Sequence, residues 1–329
     1  MDITQQRTKE IKEFLKARGN IDLIGIADPA LVEGHGRFHA PEEVLPGVKS
    51  IIVFGRRLSD GAVQSAMRRF EDGNQLALGA YAAYASHMTP GYLMLFDTFA
   101  LMQHIERTYG YISEPVPCAT EQGGKPNNEP LPLFCGPAKD GEPIDIDQAA
   151  VAAGLGQFGW SGRILTPEYG PRVMFGALLT QLPLECDKPY FGPQLCDPSA
   201  CHICTDLCPT DAIAPYGSGD VQHRGCAGCQ VETGAFSKNR CLVANCAMRA
   251  EFDPSGKGAD YVSSNDPTDD ELAAAFEDKD LSFTSLDHFP KIYCEKCLLY
   301  CPVGNWKERF ADRGLSQGPQ AVLAKEAEA

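Results

Sequence analysis

Two cysteine runs carry the clearest chemistry in the chain. The first is Cys196-x4-Cys201-x2-Cys204-x3-Cys208-Pro209, and the second is Cys294-x2-Cys297-x3-Cys301-Pro302. The spacing C-x2-C-x2-C-x3-C-P holds [4Fe–4S] clusters, and in two-cluster proteins its fourth cysteine serves the other cluster. Applied here, that exchange predicts one cluster on Cys201, Cys204 and Cys301 and a second on Cys208, Cys294 and Cys297. The position three before Cys201 is Pro198, so Cys196 is expected to fill the fourth place of the first set across a two-residue insertion. Cys241, in KNRCLVANC, is expected to complete the second. Zinc and scattered core thiols are the competing readings, but zinc sites rarely show two C-x2-C-x3-C-P runs. Cys226-x2-Cys229 and Cys246 are left over. They fit a zinc half-site, substitute cluster ligands or structural thiols, and the residues alone do not separate these.

The wider composition agrees with a metalloprotein. Of 14 cysteines in 329 residues, 11 lie between Cys196 and Cys301. A disulfide scaffold would be a short secreted chain, whereas dense cysteine in a reducing compartment points to metal. The chain has 29 Lys+Arg against 44 Asp+Glu, a formal charge of −15. Such a surface repels a phosphate backbone or an anionic membrane, so neither nucleic acid nor membrane is an expected partner. No run approaches the roughly 18 consecutive apolar residues of a membrane span. The opening MDITQQRTKEIKEFLKARG has neither an apolar signal core nor a twin-arginine pair, and a cytoplasmic location is the expectation.

The elements that must position these cysteines fall into three stretches, 1–185, 186–310 and a tail, 311–329. Ile11, Phe14 and Leu15 sit at helical spacing, and the apolar runs IDLIGIA (21–27) and SIIVFG (50–55) read as strands. Residues 90–109 are patterned as a helix ending at Gly110. The Pro- and Gly-rich segment 115–143 reads as a long loop lining a site. IDQAAVAAGLG reads as a helix, and LTPEYGPRVMFGALLTQLPL as a turn feeding a buried strand. This mixture of helices and strands predicts an α/β or α+β layered domain. Cys, Pro and Asp dominate after Cys186, and the tail is expected to fray or form a loose helix. GLGQFG (154–159) matches G-x-G-x-x-G, but it follows a helical run rather than a strand, so a dinucleotide site is not expected.

Residues 152–184, AAGLGQFGWSGRILTPEYGPRVMFGALLTQLPL, resemble the signature segment shared by reductive dehalogenases and epoxyqueuosine reductases, both cobalamin-dependent iron–sulfur enzymes. The likeness extends upstream through IDLIGIAD (21–28), LPGVKSIIVFG (45–55) and AYASHMTPGYLMLFDTFALMQHIERTYGY (83–111), and downstream through the cysteine runs. It implies an α+β chain: a nitroreductase-like cobalamin and substrate domain followed by a ferredoxin-like domain with two [4Fe–4S] clusters. An Asp-x-His-x-x-Gly motif that would supply a histidine to cobalt is absent, consistent with a cobalamin lacking a protein axial ligand.

The resemblance leans toward the dehalogenases. Pro167-Glu168-Tyr169-Gly170-Pro171-Arg172 resembles their turn and arginine, and Tyr84-Ala85-Ser86-His87-Met88 resembles their Tyr-Ser-x-Met segment. The epoxyqueuosine reductases carry a catalytic aspartate opening Asp-x-x-Pro about fourteen residues before the glycine motif, and Asp140-Gly141-Glu142-Pro143 occupies that place. Against that branch stand the acidic charge, wrong for a tRNA substrate, and the short sequence after Cys301, which leaves no room for the helical extension many of them carry. The implied reaction replaces carbon–halogen with carbon–hydrogen on a small organohalide of halophenol type, a step needing two electrons and one proton. Tyr84 is the expected proton donor, with Arg172 as its cationic partner or as the group binding an anionic phenolate. Asp140 is an alternative acid. Met88, Gly154, Leu155, Gly156 and Trp160 are expected to border the cobalamin. Electrons would come from an external low-potential donor, a ferredoxin, flavodoxin or reductase. An epoxyqueuosine reductase-like enzyme and a non-enzymatic electron carrier remain as alternatives.

Overall fold

The computed structural model describes residues 2–36, 38–73, 88–116, 144–253, 258–278, 294–304 and 316–328. Its centre is a four-stranded antiparallel sheet in the order β1 (Leu23–Ala27), β2 (Ser50–Arg57), β6 (Val173–Thr180), β3 (Ser113–Val116). The apolar runs at 21–27 and 50–55 and the segment ahead of Leu184 supply β1, β2 and β6. β3 is a difference from expectation, since its last two residues, Pro115 and Val116, lie where a loop was read. Pro115 is tolerated there because β3 is an edge strand.

β2 reads as a continuous apolar run because both faces of the sheet are covered. Ile52, Phe54 and Leu178 point to one face. There they join Ile11 and Leu15 of the N-terminal helix Ile3–Lys16 and Met94, Leu101 and Ile105 of the long helix Met88–Tyr109. Ile51, Val53, Ala177 and Leu179 point to the other, against the helix Ile146–Ala152. The alternation of successive residues between two cores is the period of two that a strand imposes. Two hairpins complete the strands: β4 (Gln157–Phe158) with β5 (Ile164–Leu165), and β7 (Val221–Cys226) with β8 (Cys229–Gly234).

The later part of the chain is tied into the earlier part. Leu58, Val63, Met67 and Phe70, mostly from the helix Asp60–Asp72, share a core with Leu207, Leu298, Leu299 and Tyr300. Tyr300 donates its hydroxyl to the Met67 carbonyl at 2.9 Å. Of the two forms expected for the tail, frayed or loosely helical, the structure has a helix. Residues Pro319–Glu328 form a helix whose Val322 enters this same core, and Glu71 accepts the Gln317 amide at 2.9 Å. A separate small core around Leu242, Val243, Met248 and Leu272 closes the segment between the two cysteine runs.

Candidate metal centre

The short helices Ile203–Asp206 and Lys296–Leu299 are single turns within the two cysteine runs. Each run wraps around a cavity because three closely spaced thiols and a following proline turn the backbone back on itself. Cys196, Cys201, Cys204 and Cys301 line one cavity. Cys208, Cys241, Cys294 and Cys297 line a second. Cys297 also borders the first, so the two adjoin. Each cavity thus draws on cysteines of both runs. No group of three or more Cys, His, Asp or Glu side chains among the described residues is placed to hold a single metal ion.

Amide donors are aimed at the sulfurs. The Trp160 N–H lies 3.4 Å from Cys196 Sγ, and the Ala212 N–H lies 3.2 Å from Cys208 Sγ. Amides of Lys296 and Glu295 face Cys294, and the Val303 amide faces Cys301. Such donors favour a charged or metal-bound sulfur. Without metal, burial dominates: it pushes the Cys294 and Cys301 thiols up to about 11 and drives Cys204 and Cys241 above the ordinary thiol range. Neighbouring thiols add to the rise at Cys204 and Cys241, because several thiolates cannot share one enclosed space. Glu295, between Cys294 and Lys296, holds φ at +121°, a conformation an L-residue adopts at a cost of order 1–3 kcal/mol.

Arg163 and Lys296 are cations lining the second cavity. Burial opposes the Arg163 charge, but Cys297, Glu295 and Cys241 outweigh that, and its guanidinium lies 3.9 Å from the Glu295 carboxylate. Nothing in the sequence singled it out. It lies 78 positions before Cys241 and 134 before Cys297, and only the tertiary fold joins them.

Arg172, expected as the cationic partner of Tyr84 or of an anionic substrate, is 1% exposed, and its guanidinium donates to backbone carbonyls of the second cysteine run. The partners are Cys301 at 2.8 Å, Leu298 at 3.4 Å and Val303. An arginine fork spread over three carbonyls fastens that loop, and its charge also draws the Cys301 thiol downward against burial.

The residues expected around a cobalamin are accounted for by packing. Gly154 has φ +75°, and a Cβ there would strike the Lys188 carbonyl. At Gly156 a Cβ would strike the Leu165 carbonyl. These two glycines let the chain pass from the helix Ile146–Ala152 into β4, a setting unlike a dinucleotide loop. Leu155 packs on the core of the first domain. Trp160 is buried, with its indole N–H on the Ala214 carbonyl at 2.8 Å and its ring edge-on to Tyr216 at 5.1 Å. Tyr84 and Asp140 lie outside the described residues, and so does the side chain of Met88, whose backbone opens the long helix.

No family model matches the chain. It is 30% identical over 126 residues to an epoxyqueuosine reductase of Bacillus cereus, covering 36% of this chain and 31% of that protein. It is 44% identical over 66 residues to a tetrachloroethene reductive dehalogenase of Sulfurospirillum multivorans, covering 20% of this chain and 13% of the other. These matches span about a third or less of the relatives. Among solved structures, one of a reductive dehalogenase, described as suggesting a mechanism for B12-dependent dehalogenation, superposes with a TM-score of 0.50 at 18% identity. That superposition covers 92% of this chain and 38% of the other and shows a shared fold. The chain is therefore similar to a superfamily that holds both reductive dehalogenases and epoxyqueuosine reductases. Among the described residues, no helix is long and apolar enough to cross a membrane.

Proposed function

We propose that this relative of reductive dehalogenases and epoxyqueuosine reductases is a cobalamin- and iron–sulfur-dependent reductase. In this reading it is a reductive dehalogenase replacing carbon–halogen with carbon–hydrogen on a small, halophenol-type substrate. The observation that carries the reading is the division of eight cysteines, drawn from both runs, between two adjoining cavities. Four thiols set around the walls of one cavity suit a multi-iron cluster. A single zinc ion would gather its ligands within about 2.3 Å of one point. On this reading residues 1–185 form the nitroreductase-like cobalamin and substrate domain, 186–310 the ferredoxin-like domain, and 311–329 a tail.

When bound, the clusters would supply single electrons at low potential and the cobalamin the bond-breaking chemistry. The chain's own part is to hold and tune. Cys196, Cys201, Cys204 and Cys301 would hold one cluster, and Cys208, Cys241, Cys294 and Cys297 the other. The amides of Trp160 and Ala212 and the Arg163 cation stabilise negative charge on sulfur. Segment 154–160, which leads from the first core to the wall of Cys196, is the part proposed to border the cobalamin. Tyr84 is proposed as proton donor at its phenolic oxygen, with Asp140 as the alternative acid. An external low-potential ferredoxin, flavodoxin or reductase is the proposed donor of electrons, at a cytoplasmic location.

The test is reconstitution with iron, sulfide and cobalamin, followed by a visible spectrum and assays on a halophenol and on epoxyqueuosine-containing tRNA with a low-potential reductant. A corrinoid band and halide release are expected. Refusal of corrinoid by a cluster-loaded chain would leave a redox carrier. Conversion of the modified tRNA without halide release would establish the second reading, which the 30% identity to an epoxyqueuosine reductase favours. Tyr84→Phe is expected to keep its cofactors and lose turnover by roughly 10²-fold or more. Unchanged turnover would remove Tyr84 from the mechanism.

A further inference from the structure

The hairpin β7–β8 ends in the two-residue turn Ala227-Gly228, and the residues that close it, Cys226 and Cys229, stand directly opposite each other. Their Cα atoms are 5.3 Å apart and the two sulfurs are bonded. That separation lies within the range a disulfide spans without backbone movement. Neither residue lines either of the cysteine-walled cavities described above. The pair is asymmetric. Cys226 is fully buried in the core shared with the sheet and the helix Ile146–Ala152, whereas Cys229 is half-buried beside the exposed Gly228. A bond across three positions closes a very short loop, where restriction of the unfolded chain contributes least. Stability is therefore a weak reason for this bond.

The tip is also a junction. The Ala227 amide donates to the Leu31 carbonyl at 3.0 Å, and Arg224, earlier in β7, donates to the Gly162 carbonyl at 2.8 Å and lies over the Phe158 ring at 4.4 Å. The hairpin belongs by sequence to the cysteine-rich half and is seated on the first half.

We propose that Cys226 and Cys229 are a redox-active dithiol–disulfide pair, with Cys229 the exchanging sulfur and Cys226 the resolving one, and that the bonded form holds the hairpin tip on the first domain. In oxidation by a small disulfide of the glutathione class, the Cys229 thiolate attacks one sulfur and displaces one thiolate. The Cys226 thiolate then attacks the Cys229 sulfur, forming the internal bond and releasing the second. Two protein thiols are oxidised, one external disulfide is reduced to two thiols, and the two protons pass to the released thiolates. A dithiol reductant reverses the sequence. The accessible sulfur is attacked and the enclosed one completes the exchange, an order the exposure difference imposes.

The test uses the full chain loaded anaerobically with iron and sulfide. It is equilibrated across ratios of reduced to oxidised glutathione, alkylated, and mapped by peptide mass at residues 226 and 229. Both residues are expected to change together, from unalkylated to doubly alkylated, in a single two-electron transition, with faster hydrogen exchange at the Ala227 amide in the reduced form. Cys226→Ser is expected to trap a glutathione adduct on Cys229, and Cys229→Ser to trap none on Cys226. Double alkylation at every ratio, an adduct on neither variant, or one equivalent of zinc retained by the pair would overturn the proposal. An unchanged Ala227 exchange rate would overturn its latching part. No corrinoid or substrate enters the measurement, so the outcome is independent of the reaction proposed above.

Discussion

Arg172 shows how a residue's surroundings decide its role. Its carbonyl partner at Leu298 is buried and those at Cys301 and Val303 are partly so, and all three lose this donor if the guanidinium is removed. Arg172→Gln is expected to destabilise the chain by about 3 kcal/mol, measured by chemical unfolding of the cluster-loaded form, with Arg172→Lys recovering only part, since a single ammonium cannot reach three carbonyls. A substrate-binding arginine would instead leave stability unchanged and raise KM. Cys204→Ala and Cys297→Ala should each bleach visible cluster absorbance, the latter more, because Cys297 borders both cavities. Full iron content in both variants would remove these thiols from the ligand set. At Gly156 a methyl group meets the Leu165 carbonyl, so Gly156→Ala should cost roughly 1–3 kcal/mol in thermal unfolding whatever the cofactor content.

Among the elements, the packing of the N-terminal helix on the long helix is sensitive to acid. Phe14 stacks on His104 with ring centroids 4.1 Å apart, and the Tyr109 hydroxyl donates to Glu10 at 2.6 Å. Burial holds the His104 imidazole below its ordinary value, and the Tyr109 hydrogen bond holds the Glu10 carboxyl below its own. Both groups are depressed in the folded chain, so both contributions are present at neutral pH and lost as pH falls. The melting midpoint should decline from about pH 7 towards pH 4, and His104→Gln should flatten the part of that decline nearest the ordinary histidine value of about 6.5. An identical slope in the variant would remove His104 as a cause. The tail helix is anchored through Val322, and Val322→Asp should cost at least about 2 kcal/mol, read as a lower midpoint.

At the scale of the whole molecule, the two cysteine runs and Cys241 come from distant parts of the chain and meet only at the cavity walls. Loading with iron and sulfide should therefore raise the melting midpoint, and removal of iron by a chelator should lower it. Burial pushes the Cys294 and Cys301 thiols up to about 11, so loading at these two releases protons and tightens as pH rises, measurable in a pH-stat. The sequence alone marked the two cysteine runs as loops around a common centre, because tight spacing and a following proline constrain a loop locally. It also determined β1, β2 and β6 and the helices Ile3–Lys16 and Ile146–Ala152, whose apolar periods are local signals. It did not foresee the carbonyl partners of Arg172, missed Arg163 and left Cys226 and Cys229 without a role. Each of those depends on which distant surface a side chain meets: carbonyls 126 to 131 positions away for Arg172, the Cys297 thiol for Arg163, the first-domain core for Cys226. Residue type and local spacing encode how a segment can fold, whereas partners brought together by long-range packing set what a buried charge or thiol does, and only the tertiary structure decides them.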